Sequence, residues 1–226
     1  MNKLSVLVMV LATAVVPQAT AAQTGGQPRV VNVCTFAPDL VAVTVEAGKV
    51  VLGRQAPYRR RDGDTVNEQG HHRWLVRGGK TVASLVGADR DIVYPFDRVV
   101  GRRLDTTWAD RAGSYRITSR DDPNYRTPAA PAAVHRKSKP FDLARIGPWH
   151  FDMPVRHVLF LRLARPLAPG RRYAVTFPGS KLPAAAFTYD PAALRSGAVH
   201  VSHIGFRPDD PAKVAFLSAW LGSGGP

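Results

Sequence analysis

The chain has a single cysteine, Cys34, and only two glutamates, Glu46 and Glu68, in 226 residues. One cysteine excludes an intramolecular disulfide, so stability must come from the core. The shortage of glutamate, together with 19 glycines and 19 prolines, argues against a helical protein, because glutamate favours helices and the other two disrupt them. The apolar content of 45% is enough to bury a core, which excludes disorder for most of the chain.

Recognisable catalytic and metal-binding motifs are also missing. The sequence contains no His-Glu-x-x-His, Cys-x-x-Cys or Gly-x-Ser-x-Gly run. Asp62-Gly63-Asp64 is typical of a turn, since aspartate favours local backbone bonds there. His200 and His203 are three apart on a predicted strand and would face opposite sides. The sequence therefore predicts no catalytic residue, no metal site and no cofactor.

The amino terminus has the pattern of a secretory signal peptide over residues 1–22. Lys3 precedes an apolar run over residues 4–16, and small residues suited to cleavage follow at 19–22. The apolar run is shorter than the roughly 20 residues of a membrane-spanning helix, so no transmembrane segment is predicted. We expect a secreted or periplasmic protein with a flexible mature terminus at residues 23–29.

The charge is strongly one-sided, at +14, and 24 of the 31 basic residues are arginine. The arginines are dispersed, with short clusters at Arg59-Arg60-Arg61, Arg102-Arg103 and Arg171-Arg172. Dispersion favours a solvated, basic surface, and attraction to an acidic polysaccharide or an anionic envelope is the functional alternative. No recognition motif combines the basic runs with stacking aromatics, so nucleic acid is not a predicted partner.

Short alternating apolar runs separated by turn residues predict an all-β fold from residue 30 onward. Tight turns are predicted at Ala47-Gly48 and Gly78-Gly79. The predicted strands cover residues 30–35, 40–46, 49–52, 73–77, 81–86, 91–94, 114–118, 155–163, 172–177 and 186–189.

The turn Pro169-Gly170 precedes a strand in which Tyr173, Val175 and Phe177 alternate. A tyrosine just after such a turn can direct its hydroxyl to the upstream backbone, as in a tyrosine corner. This favours an immunoglobulin-like or fibronectin-like β-sandwich over residues 30–195. The Pro-rich and basic stretch over residues 121–140 is predicted to be an extended loop or edge segment of that domain, with a domain linker as the alternative.

A second alternating hairpin is predicted at residues 198–206 and 213–220. Val201-Ser202-His203-Ile204-Gly205-Phe206-Arg207-Pro208, followed by Lys213-Val214-Ala215, resembles the opening of the cellulase N-terminal domain of family 9 glycoside hydrolases. Ser202 and His203 depart from the Asn-Gln pair of that family. The resemblance implies a non-catalytic immunoglobulin-like domain packed on a catalytic (α/α)6 barrel. Residues 196–226 would then begin a second immunoglobulin-like domain, although docking of the hairpin on the first domain is the alternative.

Four tryptophans could stack on sugar rings, whose apolar faces suit flat aromatic surfaces. Trp74 and Trp220 lie in predicted strands and are expected in the core. Trp108 and Trp149 lie in predicted loops and are the candidate glycan-binding residues.

These observations lead to two main hypotheses, with an independent small hydrolase as a further alternative. The first is a secreted, non-catalytic β-sandwich portion at the amino-terminal end of a glycoside hydrolase, which supports a following catalytic barrel and contacts polysaccharide. The second is a stand-alone module of the cell envelope for polysaccharide binding or adhesion.

Overall fold

The computed structural model describes residues 26–194, 199–201, 204–218 and 220–225. The predicted signal peptide and His203 lie outside the described residues. The strands are β1 (Arg29–Ala37), β2 (Leu40–Ala47), β3 (Lys49–Val51), β4 (Ala56–Pro57), β5 (Thr65–Gln69), β6 (His72–Arg77), β7 (Lys80–Val86), β8 (Ile92–Pro95), β9 (Arg98–Val100), β10 (Arg116–Thr118), β11 (Ala133–Pro140), β12 (Ala144–Gly147), β13 (His150–Asp152), β14 (Val155–Arg162), β15 (Arg172–Thr176), β16 (Ala185–Thr188), β17 (Val199–His200) and β18 (Phe216–Leu217).

The helical content of the described residues is small, which confirms the all-β prediction. One α-helix, α1 (Thr106–Ala109), is four residues long. Single 3₁₀ turns are found at Ala112–Ser114, Pro123–Tyr125, Pro191–Ala193 and Gly222–Gly224. No helix in the described ranges is long and apolar enough to cross a lipid bilayer.

Two antiparallel sheets enclose the main hydrophobic core. One contains β1, β2, β14 and β11 in that order, and the other contains β10, β15 and β16. Alternate residues of the central strands point into one shared core, because successive side chains on a strand face opposite sides. These buried residues include Val41, Val43 and Val45 of β2, Leu159 and Leu161 of β14, Ile117 of β10, and Tyr173 and Val175 of β15.

The tyrosine corner predicted at Tyr173 is present. Its hydroxyl accepts a hydrogen bond from the backbone N–H of Ala168, with an N–O distance of 2.7 Å. The same hydroxyl donates to Oδ2 of Asp122 at 2.6 Å, and both side chains are buried. The corner therefore ties the turn before β15 to the Asp122 segment.

The predicted hairpin at Ala47-Gly48 is wrong. Strand β2 pairs with β1 on one side and with β14 on the other, so no edge of β2 is available to β3. Instead β3 pairs with β9, with Lys49 opposite Val100 and Val51 opposite Arg98. The chain thus leaves the main sheets at β3 and returns at β9.

The segment between β3 and β9 forms a separate five-stranded sheet, in the order β4, β8, β7, β6, β5. It has a small hydrophobic cluster of its own, formed by Leu75, Ala83 and Leu85. The Gly78-Gly79 turn joins β6 to β7 as predicted, with Arg77 opposite Lys80. The described part of residues 30–195 thus contains two hydrophobic clusters. One is formed mainly by residues of the two main sheets, and the other is formed by residues of the five-stranded sheet.

The basic stretch near residue 136 is strand β11, the edge strand next to β14, and this confirms an edge segment rather than a linker. Residues 220–225 lie against this edge: the N–H of Arg136 donates to Oγ of Ser223 at 3.0 Å, and Nζ of Lys137 lies 4.9 Å from the Trp220 ring. An edge strand needs such cover because its backbone groups are otherwise unpaired.

The carboxy-terminal hairpin is shorter than predicted in the described residues. Only Val199 and His200 pair with Leu217 and Phe216, and both strands are exposed. Lys213-Val214-Ala215 precedes the second strand without regular structure.

Candidate functional site

The two candidate tryptophans lie in very different surroundings. Trp108 is in α1, is only 8% exposed and belongs to the main core. Its Nε1 donates to the carbonyl of Pro178 at 2.8 Å, and its ring packs against Tyr115 at 5.5 Å. Because neither face of this ring is open to a sugar, we leave Trp108 out of the proposed glycan-binding surface.

Trp149 is 59% exposed, at the tip of the hairpin that joins β12 to β13. Gly147 pairs with His150 across the two-residue turn Pro148-Trp149. Trp149 has a φ of +60°, and proline followed by a residue of positive φ is the pattern of a type II turn, which favours glycine or asparagine. A tryptophan here carries a conformational cost, and such costs are found mostly where a side chain has a function.

The Trp149 ring is the outer member of a group of side chains in mutual contact, here called the aromatic surface: Trp149, His72, Trp74, Phe96 and Arg145. The His72 ring meets Trp149 edge-on at 5.0 Å and lies flat on Trp74 at 5.3 Å. The ring centroids of Phe96 and Trp74 are 5.9 Å apart, and Cζ of the Arg145 guanidinium lies 4.7 Å from the centroid of the Trp74 ring.

Polar groups border the aromatic surface. Nε1 of Trp149 makes a long contact of 3.4 Å with Oε1 of Gln69, on the neighbouring β5–β6 hairpin. Nδ1 of His150 lies 2.6 Å from the carbonyl of Pro148. Trp74 is 2% exposed, and none of the described residues accepts a hydrogen bond from its Nε1. An exposed ring beside amide and imidazole groups offers both the apolar and the polar contacts that a sugar makes.

The β12–β13 hairpin is bonded to Asp97, which lies between β8 of the five-stranded sheet and β9. Asp97 accepts hydrogen bonds from the N–H of Gly53 at 2.9 Å and from the N–H of Arg145 at 3.2 Å. The N–H of Asp97 in turn donates to the carbonyl of Arg145 at 2.9 Å. These bonds position β12, and with it Trp149, over the face of the sheet that carries Trp74.

Trp74 and Trp220 are the two tryptophans that were predicted to lie in the core. Trp74 is buried, as predicted. The prediction for Trp220 is wrong, because this ring is 53% exposed and lies outside the strands, beside Lys137.

Glu46 and His157 are two buried titratable residues with structural partners. Glu46 is 6% exposed and pairs with Arg29 at 2.6 Å and Arg156 at 2.5 Å. His157 is buried beside Oγ of Ser138, 2.8 Å from its Nδ1, and burial, with Arg136 nearby, lowers its pKa. Within the described ranges, no three histidine, cysteine, aspartate or glutamate side chains come together as metal ligands.

Asp64 closes the turn predicted at Asp62-Gly63-Asp64. Its oxygens accept from Nε and Nη2 of Arg77 at 2.8 and 2.9 Å, and from the N–H of Arg61 at 3.1 Å. The Arg77 hydrogen bond is the largest influence on this carboxyl and, against the opposing effect of burial, lowers its pKa from the ordinary 3.8 to about 2. Asp64 is therefore ionised at neutral pH, and its carboxylate accepts hydrogen bonds and donates none.

We expect NMR titration of the Asp64 carboxyl to give a pKa near 2 and the Arg77→Gln variant to shift it upward. Because the folded pKa lies below the unfolded one, the ion pair stabilises the fold above about pH 4 and loses this effect as the pH falls through 2. An unchanged Asp64 pKa in Arg77→Gln would show that Arg77 does not hold the carboxylate.

Comparison with family models, with curated proteins and with solved structures finds no match to this chain.

Proposed function

We propose that this protein is a non-catalytic β module that acts outside the cytoplasm and contacts polysaccharide through the aromatic surface. The exposed Trp149 ring, fixed at a strained turn position beside His72 and Gln69, is the observation that carries the proposal. The signal-peptide pattern of residues 1–22 supports a location outside the cytoplasm, where polysaccharides are abundant.

The module is best described as an immunoglobulin-like sandwich carrying an inserted sheet. Immunoglobulin constant domains combine roughly seven strands in sheets of four and three around one core. Sheets of four and three strands share the main core here, and the tyrosine corner at Tyr173 supports the same description.

The resemblance at residues 201–215 extends the proposal to the amino-terminal part of a glycoside hydrolase, with structural support of a following catalytic barrel as its role. The alternative is a stand-alone envelope module, favoured by an aromatic surface whose members all lie within residues 72–149. Reading the coding frame beyond Pro226 separates the two. Several hundred further residues with helical periodicity would support the hydrolase, and a stop codon would leave the stand-alone module.

Trp149→Ala is expected to weaken retention on insoluble polysaccharides by about tenfold or more, because loss of a central aromatic residue removes most of a small contact surface. Co-sedimentation with a panel of polysaccharides measures this. Trp149→Phe should keep part of the binding because it keeps a ring.

The matched control is Trp220→Ala, since Trp220 is 53% exposed and Trp149 is 59% exposed. This variant should bind as the wild type does. Retention of Trp149→Ala at the wild-type level, or no retention of the wild type on any polysaccharide, would contradict the proposal.

A further inference from the structure

A cavity lies on the five-stranded sheet, on the face opposite Trp74. Its volume is about 370 Å³, within the range of roughly 300–1,000 Å³ that is usual for ligand pockets. Leu75 follows Trp74 on β6 and therefore points to the other face. The apolar part of the cavity wall is formed by Ala56, Leu75, Val82, Ala83 and Val93.

Three arginines, Arg59, Arg61 and Arg77, also line the cavity, with Tyr58 beside them. Arg77 is fixed through Nε and Nη2 to the fully buried Asp64 carboxylate. Arg59 and Arg61 are exposed, and the ion pairs found among the described residues give neither of them a carboxylate. The site thus holds one anchored guanidinium and two that are available to an anion.

This combination selects a particular kind of ligand. Guanidinium groups bind carboxylates in a two-pronged, charge-assisted arrangement. A free inorganic anion would leave the apolar wall against water, whereas a sugar acid places a carboxylate at the arginines and its C–H face on that wall. We propose that the cavity binds the uronate unit of an acidic polysaccharide. The choice of a saccharide rests on the proposed function, while the choice of an anion rests on the arginines.

The test is calorimetric titration of the full chain with a galacturonate oligomer, a neutral galactose oligomer of equal length, and sodium sulfate. Arg59→Gln/Arg61→Gln should weaken galacturonate binding by about tenfold or more, because two charge-assisted contacts are lost. Binding of the neutral oligomer should not change. Ala56→Phe, which fills the cavity without removing charge, should weaken galacturonate binding as well.

The matched control is Arg120→Gln/Arg126→Gln, which also removes two arginine charges, but from exposed positions on the main sandwich. It should bind galacturonate within about twofold of wild type at 0.15 M salt, where distant charges are largely screened.

Equal weakening in both double variants would overturn the proposal in favour of general charge attraction, and sulfate binding as tight as galacturonate would overturn the uronate assignment. Binding of the neutral oligomer alone would overturn the cavity proposal and leave the proposed function standing. Binding of neither oligomer would count against both.

Discussion

Trp108→Ala is expected to lower the free energy of unfolding by about 3–5 kcal/mol, the usual cost of removing a large buried aromatic side chain. The ring is 8% exposed and packs against Tyr115. Its loss also leaves the Pro178 carbonyl without the Nε1 donor at 2.8 Å. Chemical denaturation followed by circular dichroism measures the change.

Trp108→Phe separates packing from hydrogen bonding, since it keeps a ring and removes only the donor. We expect a smaller loss of stability than in Trp108→Ala. A Trp108→Ala protein as stable as wild type, but deficient in polysaccharide binding, would reverse the assignment and return Trp108 to the glycan-binding surface.

Tyr173→Phe is expected to lower the free energy of unfolding by about 1–3 kcal/mol, because it removes one of the hydrogen-bond donors to a buried carboxylate. Asp122 is 2% exposed and accepts from the Tyr173 hydroxyl at 2.6 Å and from the N–H of Asn124 at 2.9 Å. The N–H of Ala168 loses the Tyr173 hydroxyl as an acceptor in the same variant.

The pH dependence gives this prediction a second readout. Burial acts to raise the pKa of Asp122, but hydrogen bonds, first among them that of Tyr173, outweigh it and lower the pKa. Because the pKa of Asp122 is lower in the folded protein than in the unfolded one, its ionised carboxylate stabilises the fold above the unfolded pKa of about 4. This stabilisation is lost as the pH falls through the pKa of the folded state. The difference in stability between wild type and Tyr173→Phe should therefore narrow on acidification. A difference that is constant from pH 7 to pH 2 would show that Asp122 is not the partner that matters.

Much of the main sandwich could be predicted from the sequence because its central strands are rich in apolar and β-branched residues. Leu40–Ala47 is apolar at every second position from Val41 to Ala47, and Val155–Arg162 has Leu159 and Leu161 on its core-facing side, which indicates both the strand and its buried face. The tyrosine corner was predictable because Pro169-Gly170 sets the turn and Tyr173 follows at a short, fixed spacing.

Strands β6, β7 and β8 and the turn between β6 and β7 could be predicted, but their separation from the main sheets could not, since pairing between distant strands leaves no local signal. Lys49–Val51 looks like the partner of the preceding strand, yet it pairs with Arg98–Val100 across the whole insertion. Ala133–Pro140 was not predicted as a strand because its Arg-Lys-Ser-Lys run is polar, as suits an edge.

The sequence placed both candidate tryptophans outside the strands but could not predict that Trp108 is buried and Trp149 is exposed. Trp108 and Trp149 both lie in polar segments outside apparent strands, so the sequence treats them alike. A distinguishing signal was present at Asp105, whose side chain caps α1 by accepting from the N–H of Trp108 at 3.1 Å. The packing of His72 and Trp74 beside Trp149 depends on the contact between two hairpins and has no counterpart in the sequence.

Binding of polysaccharide at Trp149 can be measured by NMR of the four tryptophan indole N–H groups during titration with a soluble oligosaccharide from a retained polysaccharide. We expect the Trp149 signal to shift most and the Trp74 signal to shift with it, while the signals of Trp108 and Trp220 stay in place. A shift confined to Trp108 or Trp220, or no shift at Trp149 at saturating ligand, would contradict binding at Trp149.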